Sequence, residues 1–310
     1  MLRRFPAVVA ATMALALAAC GQSSTEPAAS TDEKVTIKHV QGSTELPKNP
    51  EKVVVLDYSS LDSMKALGLS EKVVGVPTKT LPKFLDEFKD EENVGTLQEP
   101  DIEKIAALEP DAIIIAGRTA AKYEELSKVA PTVNLAVDGT KYIASSKQSV
   151  TNLGTIFDVE EQAASKFAEV EKAIDETKAS ASKGGKNLFV LTSGGKLSAY
   201  GPGSRFGYVY DVFGVKPAAT NLKTESHGQA ISNEFIATTN PDSMFVIDRD
   251  ATIGAQGQSA AKILDNALVN KTSAAKNKKI TYLDGSRWYL LGSGLDNTVE
   301  MAKELQGGLS

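Results

Sequence analysis

Three arginines, one histidine and one tyrosine have the residue types and the sequence context of an anion-binding site. Arg118 and Arg249 each follow an apolar run, Arg205 lies in YGPGSRFGY, His227 in TESHGQ and Tyr289 in SRWYLLGSG. Guanidinium groups bind anions through several donors and also stack on aromatic rings. Imidazole and phenolate oxygen can both ligate Fe(III). The residues therefore predict a site for a bulky, multiply charged anion with aromatic arms and a hard metal.

Trp288, the only tryptophan of the chain, directly precedes Tyr289. An aromatic pair of this kind can stack on a ligand or pack in the hydrophobic core. We predict that Trp288 lies at the ligand site, with core packing as the alternative. The other histidine, His39, falls in the first strand region and is predicted to have no role in the site.

Composition and motifs exclude several classes of function. The chain has 310 residues, and its net charge of −5 lacks the basic excess of a nucleic-acid-binding protein. A serine hydrolase would need a Gly-x-Ser-x-Gly turn, which the sequence does not contain. A zinc hydrolase would need clustered ligands, but the chain has two distant histidines and one cysteine. We therefore predict a binding protein and not an enzyme, with a secreted hydrolase as the remote alternative.

A repeated motif links two of the arginines. The segments EKIAALEPDAIIIAGR, from Glu103 to Arg118, and EFIATTNPDSMFVIDR, from Glu234 to Arg249, are identical at six of sixteen positions without a gap. Each predicts a helix, a Pro-Asp turn, a buried strand and an arginine just past the strand. Ligands of open α/β sheets bind outside the carboxyl ends of the strands. Two such units facing each other would place both arginines in one cleft, although Pro-Asp turns also precede strands in unrelated proteins.

Strands and helices alternate on both sides of these units. In the first half, KVVVLD, KVVGVP, DAIIIAG and TVNLAVD are predicted strands. The segment SSLDSMKALGL is a predicted helix with Ser59 or Ser60 as N-cap and Gly68 as its stop. In the second half, KNLFVLTSGGKLSAYG predicts a hairpin, SMFVID and KKITYLD predict strands, and LDNTVEMAKELQ predicts a terminal helix. Residues 141–182 predict a long helical section between the two α/β units.

The first residues have the features of an export signal. Arg3 and Arg4 precede the alanine-rich apolar run AVVAATMALALAA, which is too short to span a membrane. The run ends in LAAC, and Cys20 is the only cysteine, which excludes an intrachain disulfide. The polar stretch GQSSTEPAASTDEK then predicts a flexible tether.

These motifs resemble those of two known groups of proteins. LAAC resembles the lipobox of bacterial lipoproteins, in which the cysteine becomes the first residue and carries a membrane-anchoring diacylglycerol. The matched units, the helical section and the stretches GPGSRFGYVYDVFGV, SHGQAISNEFIATTNPD and WYLLGSGL resemble the class III solute-binding proteins of bacterial ABC importers. Within that family they are most similar to ferric-catecholate siderophore-binding lipoproteins of the petrobactin and enterobactin type.

The resemblance implies an α/β fold of two Rossmann-like lobes joined by a long helix. The implied function is capture of a ferric siderophore between the lobes and delivery to an ABC permease dimer with a cytoplasmic ATPase. The protein would be a monomer, lipid-anchored at the extracytoplasmic face of the cell membrane, with iron as cargo and no resident cofactor. The implied division is a signal peptide over 1–19, lipidated Cys20 with a flexible tether over 20–34, an N-terminal lobe over 35–140, a helical crossover over 141–183 and a C-terminal lobe over 184–310.

The resemblance also implies roles for residues of the cleft. Arg118, Arg205 and Arg249 match the arginines that contact the catecholate oxygens. His227 and Tyr289 match the pair that completes the coordination of Fe(III) when the siderophore is tetradentate. A hexadentate siderophore would leave that pair outside the iron's coordination sphere.

Two acidic residues match the positions that dock each lobe onto the permease. These are Glu103 and Glu234, which open the two repeated segments. The alternative for both is a favourable charge in the first turn of a helix. Other cargoes remain open at this point, namely haem, cobalamin, or a citrate or hydroxamate siderophore. A passive adhesion lipoprotein would not explain the two matched lobes.

Overall fold

The first lobe is organised around a parallel sheet. The computed structural model describes residues 33–225 and 227–310. The strands of this lobe are β1 Lys34–His39, β2 Gly42–Pro47, β3 Val53–Val55, β4 Val73–Val76, β5 Glu92–Asn93, β6 Ala112–Ile115 and β7 Thr132–Asn134, and its helices are α1 Tyr58–Ala66, α2 Ile102–Ala107 and α3 Tyr123–Leu126. The order β5-β4-β3-β6-β7 is parallel throughout, while β1 and β2 form a separate antiparallel hairpin. The fully apolar β3 and β6 are buried, as expected for a sheet covered on both faces.

The second lobe contains a mixed sheet. The remaining elements are, in chain order, α4 Tyr142–Phe157, α5 Glu160–Lys183, β8 Lys186–Ser193, β9 Lys196–Tyr200, α6 Tyr208–Asp211, β10 Lys216–Pro217, β11 Gln229–Ile231, α7 Asn233–Thr239, β12 Ser243–Asp248, α8 Arg249–Thr252, α9 Ala260–Leu264, α10 Ser273–Lys276, β13 Ile280–Tyr282, a π-helical turn Ser286–Leu291 and α11 Leu295–Leu309. The sheet order is β11-β9-β8-β12-β13, with β10 beside β8. Strands β8, β12 and β13 are parallel, and β9 pairs antiparallel with β8. The predicted α/β fold class is confirmed.

The predicted helical section consists of two helices instead of one. Helix α4 ends where Asp158 adopts a left-handed backbone conformation with φ 59°. Helix α5 then begins at Glu160 and packs against α4. A Cβ on Gly154 would lie only 3.0 Å from the Cβ of Ala163, so glycine permits this close helix packing. The apolar positions predicted at helical spacing are all buried on α5: Ala163, Phe167, Val170 and Ile174.

The two repeated segments share their backbone as well as their sequence. One contains α2 and β6, and the other contains α7 and β12. In each, the residue before the proline is left-handed, with φ 48° at Glu109 and φ 44° at Asn240. Both β6 and β12 have a strand on either side in their sheets. Each repeated segment therefore contributes an interior strand to the sheet of its lobe.

The aspartate of each Pro-Asp turn ties its unit to the neighbouring strand. Asp111 Oδ2 accepts the backbone N–H of Lys52 at 2.9 Å, just before β3. Asp242 Oδ2 accepts the backbone N–H of Lys186 at 2.8 Å, at the start of β8. A carboxylate that accepts a backbone N–H satisfies a donor at the strand end, where the sheet supplies no partner. This shared contact explains why both repeated segments have an aspartate after the proline.

Local signals in the sequence are mostly confirmed. The hairpin of β8 and β9 turns at Gly194 and Gly195, whose φ angles of 56° and 73° suit a tight two-residue turn. Gly68 follows α1 with φ 69°, as predicted. The predicted N-cap of α1 is wrong, because Asp57 accepts the N–H and the hydroxyl of Ser60, both at 2.8 Å. Aspartate is as good an N-cap as serine, so the helix begins earlier than expected.

The C-terminal helix joins the two lobes. Helix α11 packs against α5 and also against α1 of the first lobe. Its residues Met301, Ala302 and Leu305 are fully buried and share one hydrophobic cluster with residues of both sheets. In the two described stretches of the chain, no helix is both long and apolar enough to cross a membrane. The predicted signal peptide, Cys20 and most of the tether lie outside the described residues.

Candidate functional site

A cavity of about 670 Å³ opens between the two lobes. The first lobe contributes the loops after β3, β6 and β7, including Asp57, Arg118 and Asp138. The second lobe contributes the loop before α6 and the π-helical turn Ser286–Leu291. The volume is in the range of sites that bury a small organic ligand. The cavity lies at the carboxyl ends of parallel strands, where ligands of open α/β sheets bind.

The three predicted arginines converge on Tyr289. Arg118 Nη2 and Arg205 Nη2 both donate to the backbone carbonyl oxygen of Tyr289, the second at 3.1 Å. Arg249 Nε donates to the Tyr289 hydroxyl oxygen at 2.9 Å. The guanidinium carbons of Arg118, Arg205 and Arg249 lie 5.1, 4.6 and 5.6 Å from the centroid of the Tyr289 ring. Three cationic groups thus surround one aromatic ring, an arrangement stabilised by attraction to its π face.

The charges of this cluster are only partly compensated. Burial and then the neighbouring Arg205 lower the pKa of Arg118, because both disfavour its charged form. Asp57, beside α1, attracts Arg118, and Asp250 lies 3.5 Å from Nη1 of Arg249. Arg249 does not border the cavity itself and reaches it through the Tyr289 hydroxyl. An anion that enters the cavity therefore meets a preassembled excess of positive charge.

Tyr289 should ionise more readily than an ordinary tyrosine. Burial opposes this, but the hydrogen bond from Arg249 and the charges of the three arginines together lower its pKa. We expect the phenolate absorbance of the folded protein to begin rising at lower pH in the wild type than in Tyr289→Phe. Because the folded-state pKa is lowered, the wild type should also gain stability relative to the variant as the pH rises through that pKa. Ultraviolet titration and denaturant unfolding measure the two effects, and superimposable titration curves would contradict the assignment.

His227 borders the cavity and is exposed on the loop that precedes β11. Its place is consistent with the predicted pairing with Tyr289, since both residues face the same cavity. In residues 33–225 and 227–310, no group of three His, Cys, Asp or Glu side chains could hold a metal ion by itself. Any coordination of Fe(III) by His227 and Tyr289 therefore stays a prediction that depends on donors brought by the ligand. His39 instead contacts Thr44 Oγ1 at 2.9 Å and lies against Tyr123, away from the cavity-bordering residues.

Trp288 lies at the cavity, as predicted, and is also packed in the core. It borders the cavity, but only 1% of its surface is exposed. Its indole Nε1 donates to Glu304 Oε2 of α11 at 2.6 Å, and its ring stacks on Tyr208 with centroids 6.1 Å apart. Its surroundings are therefore those of a core residue, and its contact with a ligand stays a prediction. Trp288 supports the wall that carries Tyr289.

Apart from Arg118, the first-lobe wall of the cavity was not anticipated from the sequence. Asp57 and Ser59 follow β3, and Asp138, Gly139 and Thr140 lie in the loop after β7. The rule that predicted the arginines, which places ligand contacts just past the carboxyl ends of strands, also applies to these residues.

Glu103 and Glu234 occupy equivalent exposed positions. Each lies in the first turn of its helix, directly after the first helical residue of α2 or α7. Asp101 and Ser232 cap the two helices. A hydrogen bond from the Ser232 side chain lowers the pKa of Glu234. The positions suit either a contact with a partner or a favourable interaction with the helix dipole.

Comparison with known proteins places the chain in a family. The family model of the periplasmic binding proteins matches residues 53–286. The petrobactin-binding protein YclQ of Bacillus subtilis is 44% identical over 308 residues, which cover 97% of either chain. Its crystal structure superposes with a TM-score of 0.88 and covers 90% of this chain and 99% of YclQ.

Two further relatives come from Vibrio species. The ferric-anguibactin-binding protein FatB of Vibrio anguillarum is 36% identical over 269 residues, covering 84% of this chain and 83% of FatB. The crystal structure of the periplasmic catecholate-siderophore binding protein VctP of Vibrio cholerae, 34% identical, superposes with a TM-score of 0.82 and covers 89% and 100% of the two chains. The lobes, the cleft at the strand ends and these matches together establish that the chain belongs to the periplasmic binding protein family.

Proposed function

We propose that the protein is the substrate-binding lipoprotein of an ABC importer and captures a ferric catecholate siderophore of the petrobactin type. The observation that carries this proposal is the convergence of Arg118, Arg205 and Arg249 on Tyr289 at a cavity of about 670 Å³. Its support from relatives is the 44% identity to a petrobactin-binding protein and the likeness to a catecholate-siderophore binding protein.

The geometry suggests how the ligand is held. Catecholate oxygens accept hydrogen bonds from guanidinium donors, and catechol rings stack on guanidinium planes and on aromatic rings. The Tyr289 carbonyl already orients Arg118 and Arg205, so little side-chain freedom remains to be lost when the anion binds. Iron enters as part of the cargo, and the protein needs no resident cofactor. With a tetradentate siderophore, His227 and Tyr289 supply the remaining donors to Fe(III).

Titration with alternative cargoes tests this proposal. The tether-free protein is titrated with ferric petrobactin, ferric enterobactin, haem and cobalamin while the fluorescence of Trp288 is followed. The buried ring can report binding through energy transfer to a coloured iron complex without touching it. Saturable quenching at submicromolar ferric catecholate, absent with haem and cobalamin, supports the proposal. Saturable binding of haem or cobalamin alone would leave the fold standing and reject the catecholate cargo.

Members of the family are solute-binding proteins, and we propose that this chain likewise performs no turnover. Ferric siderophore incubated with the protein should be recovered chemically intact. Recovery of a hydrolysed siderophore would favour the hydrolase alternative.

Glu103 and Glu234 are proposed to dock the lobes onto the permease. Both carboxylates are exposed, at matching positions on α2 and α7. We expect Glu103→Arg and Glu234→Arg to reduce siderophore uptake by cells at least tenfold when combined, because like charges across an interface are strongly unfavourable. The dissociation constant for the siderophore should stay unchanged. Glu161→Arg is the matched control, because Glu161 is exposed and is likewise the second residue of its helix, α5. Equal uptake by all variants would reject the docking role.

A lipid anchor at Cys20 is proposed from the LAAC motif, outside the described residues. It would hold the protein at the extracytoplasmic face of the cell membrane as a monomer. Replacement of Cys20 by serine should release the protein from the membrane fraction, and retention of that variant would reject the anchor.

A further inference from the structure

The first turn of α11 is capped by residues of the other lobe. Its N-cap position is Gly294, which has no side chain to satisfy the free N–H groups of the helix. Asp62 Oδ2 on α1 accepts the N–H of Asn297 at 3.0 Å, and Ser63 Oγ accepts the N–H of Leu295 at 3.2 Å. A Cβ on Gly294 would lie 2.5 Å from Asp62 Oδ2, so the glycine makes room for the carboxylate.

The same face of α1 also holds the segment that carries Tyr289. Ser59 Oγ donates to the carbonyl oxygen of Leu291 at 3.0 Å. From α4, the Tyr142 hydroxyl donates to the carbonyl oxygen of Gly292 at 3.1 Å. Residues 291–297 are therefore held by α1 and α4 at several points within a few residues of Tyr289. A shift of this segment would move Tyr289 relative to Arg118.

Asp62 is a buried carboxylate that the ligand site does not use. Only 3% of Asp62 is exposed, and this burial raises its pKa to about 7. The hydrogen bond from the N–H of Asn297 acts in the opposite direction and lowers the pKa. The charged groups that face it are Asp296 of α11, which raises the pKa further, and Arg287 of the π-helical turn, which lowers it. The charge of Asp62 in turn raises the pKa of Tyr142 of α4. The carboxyl group thus changes its charge near neutral pH, inside the seam between the lobes.

We propose that Ser59, Asp62 and Ser63 form a clamp on residues 291–297 that positions Tyr289 for the ligand, and that loss of the Asp62 proton loosens this clamp. An ionised carboxylate is costly while it stays desolvated, and it regains water when the segment moves away. The clamped state is therefore favoured below neutral pH and becomes less favourable as the pH rises. Asp62 acts through Tyr289 and does not touch the ligand.

Unfolding of the ligand-free protein tests the proton linkage. Between pH 6 and pH 8, the unfolding equilibrium constant of the wild type should rise about tenfold relative to that of Asp62→Asn, which is about 1.4 kcal/mol. The asparagine keeps an amide oxygen for the N–H of Asn297 but cannot ionise. Comparing the two proteins at each pH removes the contribution of groups that do not interact with Asp62. Parallel pH profiles would overturn the proposal.

Asp296→Asn is a second test variant, and it changes no buried residue between the lobes. Asp296 is exposed, and removal of its charge lowers the pKa of Asp62. The step in stability should persist and move to lower pH. An unmoved step would overturn the assignment to Asp62 even if Asp62→Asn did not fold.

The positioning role is tested by ligand affinity and rests on the proposed function. The dissociation constant of the wild type for ferric petrobactin, divided by that of Asp62→Asn, should rise from pH 6 to pH 8, at most about tenfold. The ratio cancels the titration of the siderophore itself. A constant ratio together with a clear unfolding step would confine Asp62 to stability and overturn its role in positioning. Absence of binding by every variant would count against the proposed cargo and leave the unfolding result intact.

Discussion

Arg118→Gln should weaken binding of ferric petrobactin at least about 30-fold, since loss of one partner from a buried, hydrogen-bonded charge pair costs about 2–5 kcal/mol. Arg118 is the arginine that the first lobe contributes to the cluster, and burial already disfavours its charge in the absence of an anion. A bound catecholate anion would compensate that charge. Trp288 fluorescence measures the dissociation constant, because the tryptophan is unchanged in this variant.

Two further substitutions separate contact from general charge. Arg118→Lys keeps the charge but loses the planar fork, so its affinity should lie between those of the wild type and Arg118→Gln. Lys141→Gln removes a charge from an exposed side chain next to the cavity-bordering Thr140. Its effect should stay within about threefold, because exposed charges are screened by salt. Equal losses in Arg118→Gln and Lys141→Gln would mean that overall charge, and not the arginine cluster, binds the ligand.

Trp288→Ala should lower the free energy of unfolding by about 3–5 kcal/mol, the usual cost of removing a large buried aromatic side chain. Trp288 is 1% exposed, stacks on Tyr208 and lies 6.0 Å from Phe189 between ring centroids. The substitution therefore leaves a cavity in the folded protein, behind the wall that carries Tyr289. Denaturant unfolding measures the loss.

Trp288→Phe distinguishes support of the wall from contact with the ligand. Phenylalanine keeps an aromatic ring but leaves the half-buried Glu304 without its indole donor, which should cost about 1–3 kcal/mol of stability. Siderophore affinity, measured by calorimetry because the only tryptophan is gone, should change less than threefold. Glu304→Gln retains an acceptor for the indole N–H and serves as the matched control. A large loss of affinity in Trp288→Phe with unchanged stability would restore the ligand-contact interpretation.

The arrangement of the arginines was largely predictable because it depends on strand ends. Arg118 and Arg249 follow equivalent strands of a repeated unit, and parallel strands present their carboxyl ends at one edge. The sequence therefore predicted a shared cleft, and the structure brings both side chains to Tyr289. Their contact with a siderophore stays a prediction.

Features that depend on distant packing were not predictable. The buried state of Trp288 follows from Glu304 on α11, and nothing near Trp288 in the sequence indicates which helix covers it. The cap of α11 comes from Asp62, 235 positions before Asn297. The break between α4 and α5 depends on a single left-handed residue, Asp158, and aspartate also occurs within helices.

The position of α11 has a consequence for the time at which the cleft is formed. This helix is the last element of the chain, yet it packs on α1 and α5 and supports the turn that carries Tyr289. A ribosome releases the first lobe long before those final residues have been synthesised. A nascent chain that still lacks α11 therefore cannot have the turn of Tyr289 supported from both lobes. The wall of the cavity that carries Tyr289 is therefore completed only when α11 has been synthesised and has packed on α1 and α5.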